Sequence, residues 1–208
     1  MFVILDRAST DGTLDLLRAM QPKCPELNVV YAPENRGVVD AYRRGYHEAL
    51  QSDADWILEI DAGYSHRPDE IVRYLQHARE GVDCVFGTRF RKGGRFQGGL
   101  SRRYLVSRLG GLLARTVLGT KLSDMTSGFQ LFRRGALRDI LANGLLSRGP
   151  FFQTEIKYYA RKLSAVEVPI TYHPTVSTVR GGAIGDALKV LSRLCVSRVR
   201  TALPHKFD

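Results

Sequence analysis

Between Phe2 and Gly87, short apolar runs alternate with amphipathic stretches. The runs are Phe2–Leu5, Leu27–Tyr31, Trp56–Ile60 and Cys84–Gly87. The stretches between them carry apolar residues at helical spacing: Leu14, Leu17 and Met20 in Thr13–Met20, then Val38, Ala41, Tyr42, Gly45 and Ala49 in Gly37–Gln51. A third, Asp69–Arg79, opens after Pro68. Strands that alternate with helices of this length predict βαβ units. The expected fold is therefore α/β, a single domain with a mostly parallel sheet and helices on both faces.

The third run ends at once in a carboxylate, in the stretch Trp56-Ile57-Leu58-Glu59-Ile60-Asp61-Ala62-Gly63-Tyr64-Ser65-His66-Arg67-Pro68. In open α/β sheets, ligands bind outside the carboxyl ends of the strands. A carboxylate there is placed to hold a divalent cation beside phosphates, because hard cations take oxygen ligands. The plainer use of such an aspartate is to cap the helix that follows. This segment by itself does not choose between the two.

Beyond Gly87 the texture changes. Arg89–Ser101 is rich in glycine and arginine and predicts a mobile basic loop. Helices are expected at Leu100–Leu118, Gly135–Ala142 and Phe152–Lys162, and strands at Phe129–Phe132 and Ala165–Tyr172. Ala183–Leu203 reads as a basic amphipathic helix. The 208 residues suit one core, so one domain over 1–208 is expected, with 183–203 as its C-terminal helix. No apolar run is long enough to span a bilayer. The opening MFVILD lacks the basic lead and the length of a signal peptide. Cys24, Cys84 and Cys195 form no CxxC pair, which argues against a zinc site or a disulfide framework and for a cytoplasmic setting. The net charge of +10 favours anionic partners. With no nucleic-acid-binding motif beside it, phosphorylated small molecules or an acidic membrane face are expected rather than nucleic acid.

Six segments follow one another along the chain: Leu5-Asp6-Arg7-Ala8-Ser9-Thr10-Asp11-Gly12-Thr13; Asn35-Arg36-Gly37 with Ala41 and Gly45; Asp61 to Pro68; Val85-Phe86-Gly87-Thr88-Arg89-Phe90 with Gly93-Gly94; Ser101-Arg102-Arg103 with Ser107; and Ser123-Asp124-Met125-Thr126-Ser127-Gly128-Phe129. In this order they resemble the family 2 glycosyltransferases of the GT-A fold, and among these the dolichol- and polyprenyl-phosphate sugar transferases. Phe151-Phe152-Gln153-Thr154-Glu155 and Glu167-Val168-Pro169-Ile170 match the same pattern further on. The order of the segments is far more specific than any one of them.

The resemblance implies an inverting transfer of a hexose from a nucleotide sugar to a polyprenyl phosphate. It assigns Asp61, with Ser65 or water, to a Mg²⁺ or Mn²⁺ ion on the donor diphosphate, and Asp6 to the nucleotide. Arg89, Arg103 and Ser107 would hold the acceptor phosphate, with Arg180 as a further basic residue. Arg103 and Ser107 stand one helical turn apart, and a guanidinium fork fits phosphate oxygens. The bland alternative for these arginines is a solvated basic surface. Asp124 would shape the sugar pocket or orient the acceptor, or else cap a turn. Asn35 is expected to cap the helix after it, Asp11 to Thr13 to form a capped turn, and His66 to support the site rather than ligate.

Three departures stand out. Arg7 and Ala8 replace an aspartate and a glycine of the family pattern, and Gly63 stands where a second metal-binding aspartate is expected. Family members also begin with a strand and a Pro-x-Tyr/Phe-Asn-Glu loop ahead of the first aspartate motif. This sequence starts one strand later, which predicts a sheet short of a central strand. The departures also admit a second reading, a non-catalytic nucleotide- or lipid-phosphate-binding protein on the same fold. The segment Ile184–Leu203 mixes Leu188, Leu191, Leu194, Cys195 and Val199 with Lys189, Arg193, Arg198 and Arg200. That pattern suits the surface of an anionic membrane, so a peripheral position on the cytoplasmic face is expected.

Overall fold

Phe2–Leu5 (β1) and Asn28–Tyr31 (β2) pair in parallel, with Phe2 opposite Asn28 and Leu5 opposite Tyr31. The crossover between them carries α1, Thr13–Met20. The following helix α2, Val38–Gln51, lies close on β1: a Cβ added to Gly45 would stand 3.3 Å from Ile4 Cγ1. Gly45 thus does the packing work expected of it, whereas a Cβ on Gly37 would meet nothing within 4 Å. Asn35, in contrast, does not cap this helix. Gly37 takes the cap position without a side-chain hydrogen bond, and Asp40 Oδ2 in the first turn accepts the Arg36 backbone N–H at 3.0 Å. The computed structural model describes residues 1–97, 102–174 and 182–202, the side chains of residues 102, 103, 201 and 202 aside.

These elements form one compact unit, Met1–Ile57; Leu58–Asp208 forms a second. Strand β3, Trp56–Glu59, runs from one into the other. The second unit continues with α3 (Ile71–Arg79), β4 (Cys84–Thr88), β5 (Arg95–Phe96), α4 (Arg102–Leu118), β6 (Gln130–Arg133) and α5 (Arg134–Ala142). It closes with α6 (Phe152–Tyr159), β7 (Ala165–Pro169), β8 (Thr171–Tyr172) and α7 (Ala183–Ala202). Among the described residues, β1–β2 is one ladder and β3-β6-β4-β7 is another.

In the four-stranded sheet β4 is buried along its whole length, as a strand covered on both faces must be. It pairs in parallel with β7, Cys84 opposite Ala165, and antiparallel with β6, Cys84 opposite Phe132. Apolar patterning carries no strand direction, so the reversed β6 was not foreseen. The loop after β4 also holds more order than its glycines suggest. Arg95–Phe96 pairs with Thr171–Tyr172, and the single strand expected over Ala165–Tyr172 splits at Ile170 to serve two ladders. Residues 98–101 of that loop lie outside the described residues.

The helices α4, α6 and α7 share a core of Ala114, Leu118, Met125, Tyr158, Val190 and Leu194. Arg198 of α7 donates to the Thr116 and Val117 carbonyls at 3.3 and 2.6 Å, closing the C-terminus of α4, where a cation also suits the helix dipole. Gly119, at φ 66°, lets the chain turn out beneath that guanidinium.

Candidate active site

Asp61 follows β3 by two residues, and its carboxylate side chain is 38% exposed. The strand that delivers it is anchored from below. Glu59 is buried, and its two carboxylate oxygens accept the side-chain amides of Gln153 on α6 (2.5 Å) and Gln130 on β6 (3.0 Å). Gln130 also donates to Gln153 Oε1. The three side chains tie β3, β6 and α6 into one frame, and the contact requires glycine above it: a Cβ on Gly128 would stand 2.9 Å from Gln153 Nε2 and 3.3 Å from Glu59 Oε1. A buried carboxylate accepts such partners because an unmade hydrogen bond there costs about 1–3 kcal/mol.

Around Asp61 the loop is short of oxygen ligands. Ser65 Oγ donates to Asp61 Oδ2 at 3.2 Å. Tyr64 adopts φ 58° and is 87% exposed. His66 Nδ1 lies 3.8 Å from Asp61 Oδ2, and its side chain is 1% exposed. Neither ring nitrogen of His66 has a hydrogen-bond partner. Burial, helped by the positive charges of Arg89 and Lys157, pushes the imidazole down to about 4 against the pull of Asp61, so the ring is neutral at neutral pH. Among the described residues no three His, Cys, Asp or Glu side chains converge as a metal cage. The donor set fits a cation that is shared with the oxygens of a bound diphosphate, not one held by the protein alone.

Behind this loop sits a buried ion pair. Arg89 follows β4, and its Nε and Nη2 reach Asp124 Oδ2 and Oδ1 at 2.7 and 2.8 Å. Nη2 also donates to Thr126 Oγ1 at 2.5 Å. The rings of Phe90, Phe96 and Tyr172 stand 5.1, 5.8 and 5.0 Å from the guanidinium carbon. The open, phosphate-seeking arginine expected at this position is thus 4% exposed, with its fork engaged. Asp124 likewise serves as counter-ion and turn cap, accepting the backbone N–H of Arg89 at 3.1 Å and of Thr126 at 3.0 Å. Burial alone would raise its carboxyl group; the guanidinium outweighs that and holds it down to about 2. Lys157 on α6 is wholly buried and donates to the Ser127 carbonyl at 2.6 Å. Burial lowers its ammonium to about 8, against the pull of Asp124. Glu167 on β7 finishes the cradle, accepting the backbone N–H groups of Ser123 and Asp124 at 2.7 and 3.1 Å and pairing with the half-exposed Arg91 at 2.9 Å.

The remaining expected residues fall as follows. In the first unit, Asp6 Oδ1 accepts the Ala8 N–H at 2.8 Å, and Asp11 Oδ1 accepts the Thr13 N–H and hydroxyl at 3.2 and 2.6 Å. Ser107 is half-buried on α4. The side chain of Arg103 and the whole of Arg180 lie outside the described residues. The sequence assigns no role to Glu59, Gln130, Gln153, Lys157, Glu167 or Arg91. A polar residue inside an apolar strand, as Glu59 and Gln130 are, was the available signal.

The family model for glycosyl transferase family 2 matches residues 2–141, and the chain belongs to that family. Its fold is GT-A. The chain is 32% identical over 196 residues to undecaprenyl-phosphate mannosyltransferase of Micrococcus luteus, which spans 92% of this chain and 80% of that protein. It is 30% identical over 192 residues to polyprenol monophosphomannose synthase of Mycolicibacterium smegmatis, at 89% and 72% coverage. Among solved structures it aligns with glucosyl-3-phosphoglycerate synthase of Mycobacterium tuberculosis. The complex of that enzyme with Mn²⁺, UDP-glucose and phosphoglyceric acid aligns with TM-score 0.56 and 21% identity, covering 99% of this chain and 69% of that one.

Proposed function

We propose that this glycosyltransferase moves a hexose from a nucleotide sugar to a polyprenyl phosphate, with inversion at the anomeric carbon. The observation that carries the reading is Asp61: a half-exposed carboxylate just beyond a strand whose own buried carboxylate, Glu59, has both oxygens engaged by Gln130 and Gln153. Two relatives at 30% identity or more bear names for transfer of mannose to a lipid phosphate. Asp61 and Ser65 would hold Mg²⁺ or Mn²⁺ against the donor diphosphate, and such an ion offsets charge on the leaving group. The acceptor phosphate is already anionic at neutral pH, so the protein has to position it more than deprotonate it. Arg103 and Ser107 on α4 are the groups proposed to do so. Arg89 and Asp124 play a supporting part, holding the turn that begins at Thr126 to the end of β4. Asp6 is proposed to meet the nucleotide.

The acceptor's isoprenoid tail stays in lipid, and the outer surface of α4 and α7 suits that. Leu105, Val106, Leu109, Leu112 and Leu113 of α4 are exposed, as are Ile184, Leu188, Val196 and Val199 of α7. No acidic residue occurs in α4; α7 has only Asp186, whose Oδ2 accepts the Arg148 and Gly149 N–H groups at 3.0 and 3.2 Å. Apolar and basic side chains without acids are what an anionic bilayer face attracts. No described helix is long and apolar enough to cross a membrane.

The test is transfer of labelled mannose or glucose from GDP- and UDP-sugars to undecaprenyl phosphate in detergent micelles. Asp61→Asn is expected to abolish transfer while leaving the melting temperature nearly unchanged. Full activity in that variant removes the metal role, and no transfer by the wild type removes the activity.

A further inference from the structure

We infer that His66 gives the donor-bound cation a second protein ligand, through Nδ1, in place of the carboxylate that Gly63 does not carry. This rests on the metal-diphosphate reading of Asp61. The ring has no other task in sight. It is sealed from water, both of its nitrogens are without a partner, and one of them faces a carboxylate. At 3.8 Å the Nδ1–Oδ2 separation is too long for a hydrogen bond. It does fit two donors on one cation: bonds of about 2.1 Å each allow a separation of up to about 4.2 Å. Ser65 Oγ, 3.2 Å from the same Oδ2, borders the same spot.

The ring is also held in place, as a ligand has to be. Its flanks meet Phe129 at 5.2 Å and Tyr172 at 5.6 Å between ring centroids. The backbone beside it is pinned by the His173 N–H, which donates to the Ser65 carbonyl at 2.9 Å. A neutral imidazole has one lone pair to offer. One imidazole and one carboxylate leave the other positions to diphosphate oxygens and water. That mixed donor set favours Mn²⁺ over Mg²⁺, because imidazole is a softer ligand than water or carboxylate.

The experiment uses the full chain, labelled with ¹⁵N, with Mn²⁺ and unlabelled GDP or UDP, and reads the bound ion by pulsed electron paramagnetic resonance. Labelling separates protein nitrogen from nitrogen of the base. The wild type is expected to show a directly bonded ¹⁵N coupling. His66→Gln is expected to lose it and to bind Mn²⁺ about tenfold or more weakly, with a smaller preference for Mn²⁺ over Mg²⁺. Gly63→Asp added to His66→Gln should restore affinity without restoring the coupling. If the wild-type ion shows no protein nitrogen, or no ion binds, the inference is overturned, and this spectrum decides even should the variant fail to fold. Equal Mn²⁺ affinity in wild type and His66→Gln overturns it as well. A nitrogen-bound ion in a protein that transfers no sugar to undecaprenyl phosphate would leave His66 as a ligand and sink the acceptor assignment instead.

Discussion

Replacing Asp124 by asparagine tests whether the buried ion pair organises the centre of the second unit. The substitution keeps the side chain's shape and one acceptor for the turn, but leaves the guanidinium of Arg89 without a counter-charge at 4% exposure. Removing one partner of a buried pair costs about 3–5 kcal/mol, because the other charge stays desolvated. Two direct bonds of 2.7 and 2.8 Å and a wholly buried carboxylate place this pair in that class. The acid limb gives a second measure. With the carboxyl held at about 2 instead of 3.8, the group's contribution of about 2 kcal/mol is complete above pH 4 and is lost as the pH falls through about 2. The assay is urea denaturation followed by circular dichroism, on wild type, Asp124→Asn, Arg89→Met and the double variant Arg89→Met/Asp124→Asn. The double variant, with no charge left to strand, should lose less than either single one. A loss below 1 kcal/mol in Asp124→Asn, or strictly additive losses, would refute the reasoning.

Lys157 should show the same sign of pH dependence, in the alkaline range. Its ammonium titrates at about 8 when folded and at 10.5 when unfolded, so the unfolded chain binds more protons between those values and stability rises with pH there. The urea midpoint of the wild type relative to Lys157→Met should therefore climb from pH 8 to 10; a flat difference contradicts the burial argument. Gly87→Ala puts a Cβ into the Tyr74 hydroxyl and within 2.9 Å of Ile170 Cδ1 in a buried strand, so a loss of about 1–3 kcal/mol is expected by the same denaturation. At low salt the protein should co-sediment with vesicles of anionic lipid and release as salt is added, and glutamates at Leu109 and Leu188 should weaken the binding. Indifference to such vesicles would mean that the exposed side chains of α4 and α7 serve something else.

Most of the elements could be read from periodicity alone. The strand Phe2–Leu5 and the helix Thr13–Met20 were placed to the residue, because a turn-forming Asp-Gly step sets the helix start. The helix expected from Asp69 instead begins at Ile71, after one tight turn over Pro68–Glu70. Strand direction and pairing were not legible, since the reversed β6 and the β5–β8 ladder rest on contacts far apart in the chain. For the site, Asp61 stood out by position, but the engagement of Arg89 did not. An arginine in a glycine-rich stretch reads as open to a phosphate until Asp124, well down the chain, is seen to face it. The orphaned nitrogens of His66 were likewise invisible, because a missing partner is a property of packing and leaves no trace in spacing.

The pairing order of the second sheet bears on how the chain is made. β3 and β4 leave the ribosome first and never pair with each other; each finds its neighbour in β6, and β4 also in β7. Cys84 waits for Phe132 and then for Ala165. Closing such distant contacts is slow, since the entropy of each loop is lost before any pairing compensates it. Until Arg133 emerges, two apolar strands hang with open edges, one of them ending just before the Asp61 loop. Over that interval of synthesis the nascent chain is most prone to aggregate and most in need of a chaperone.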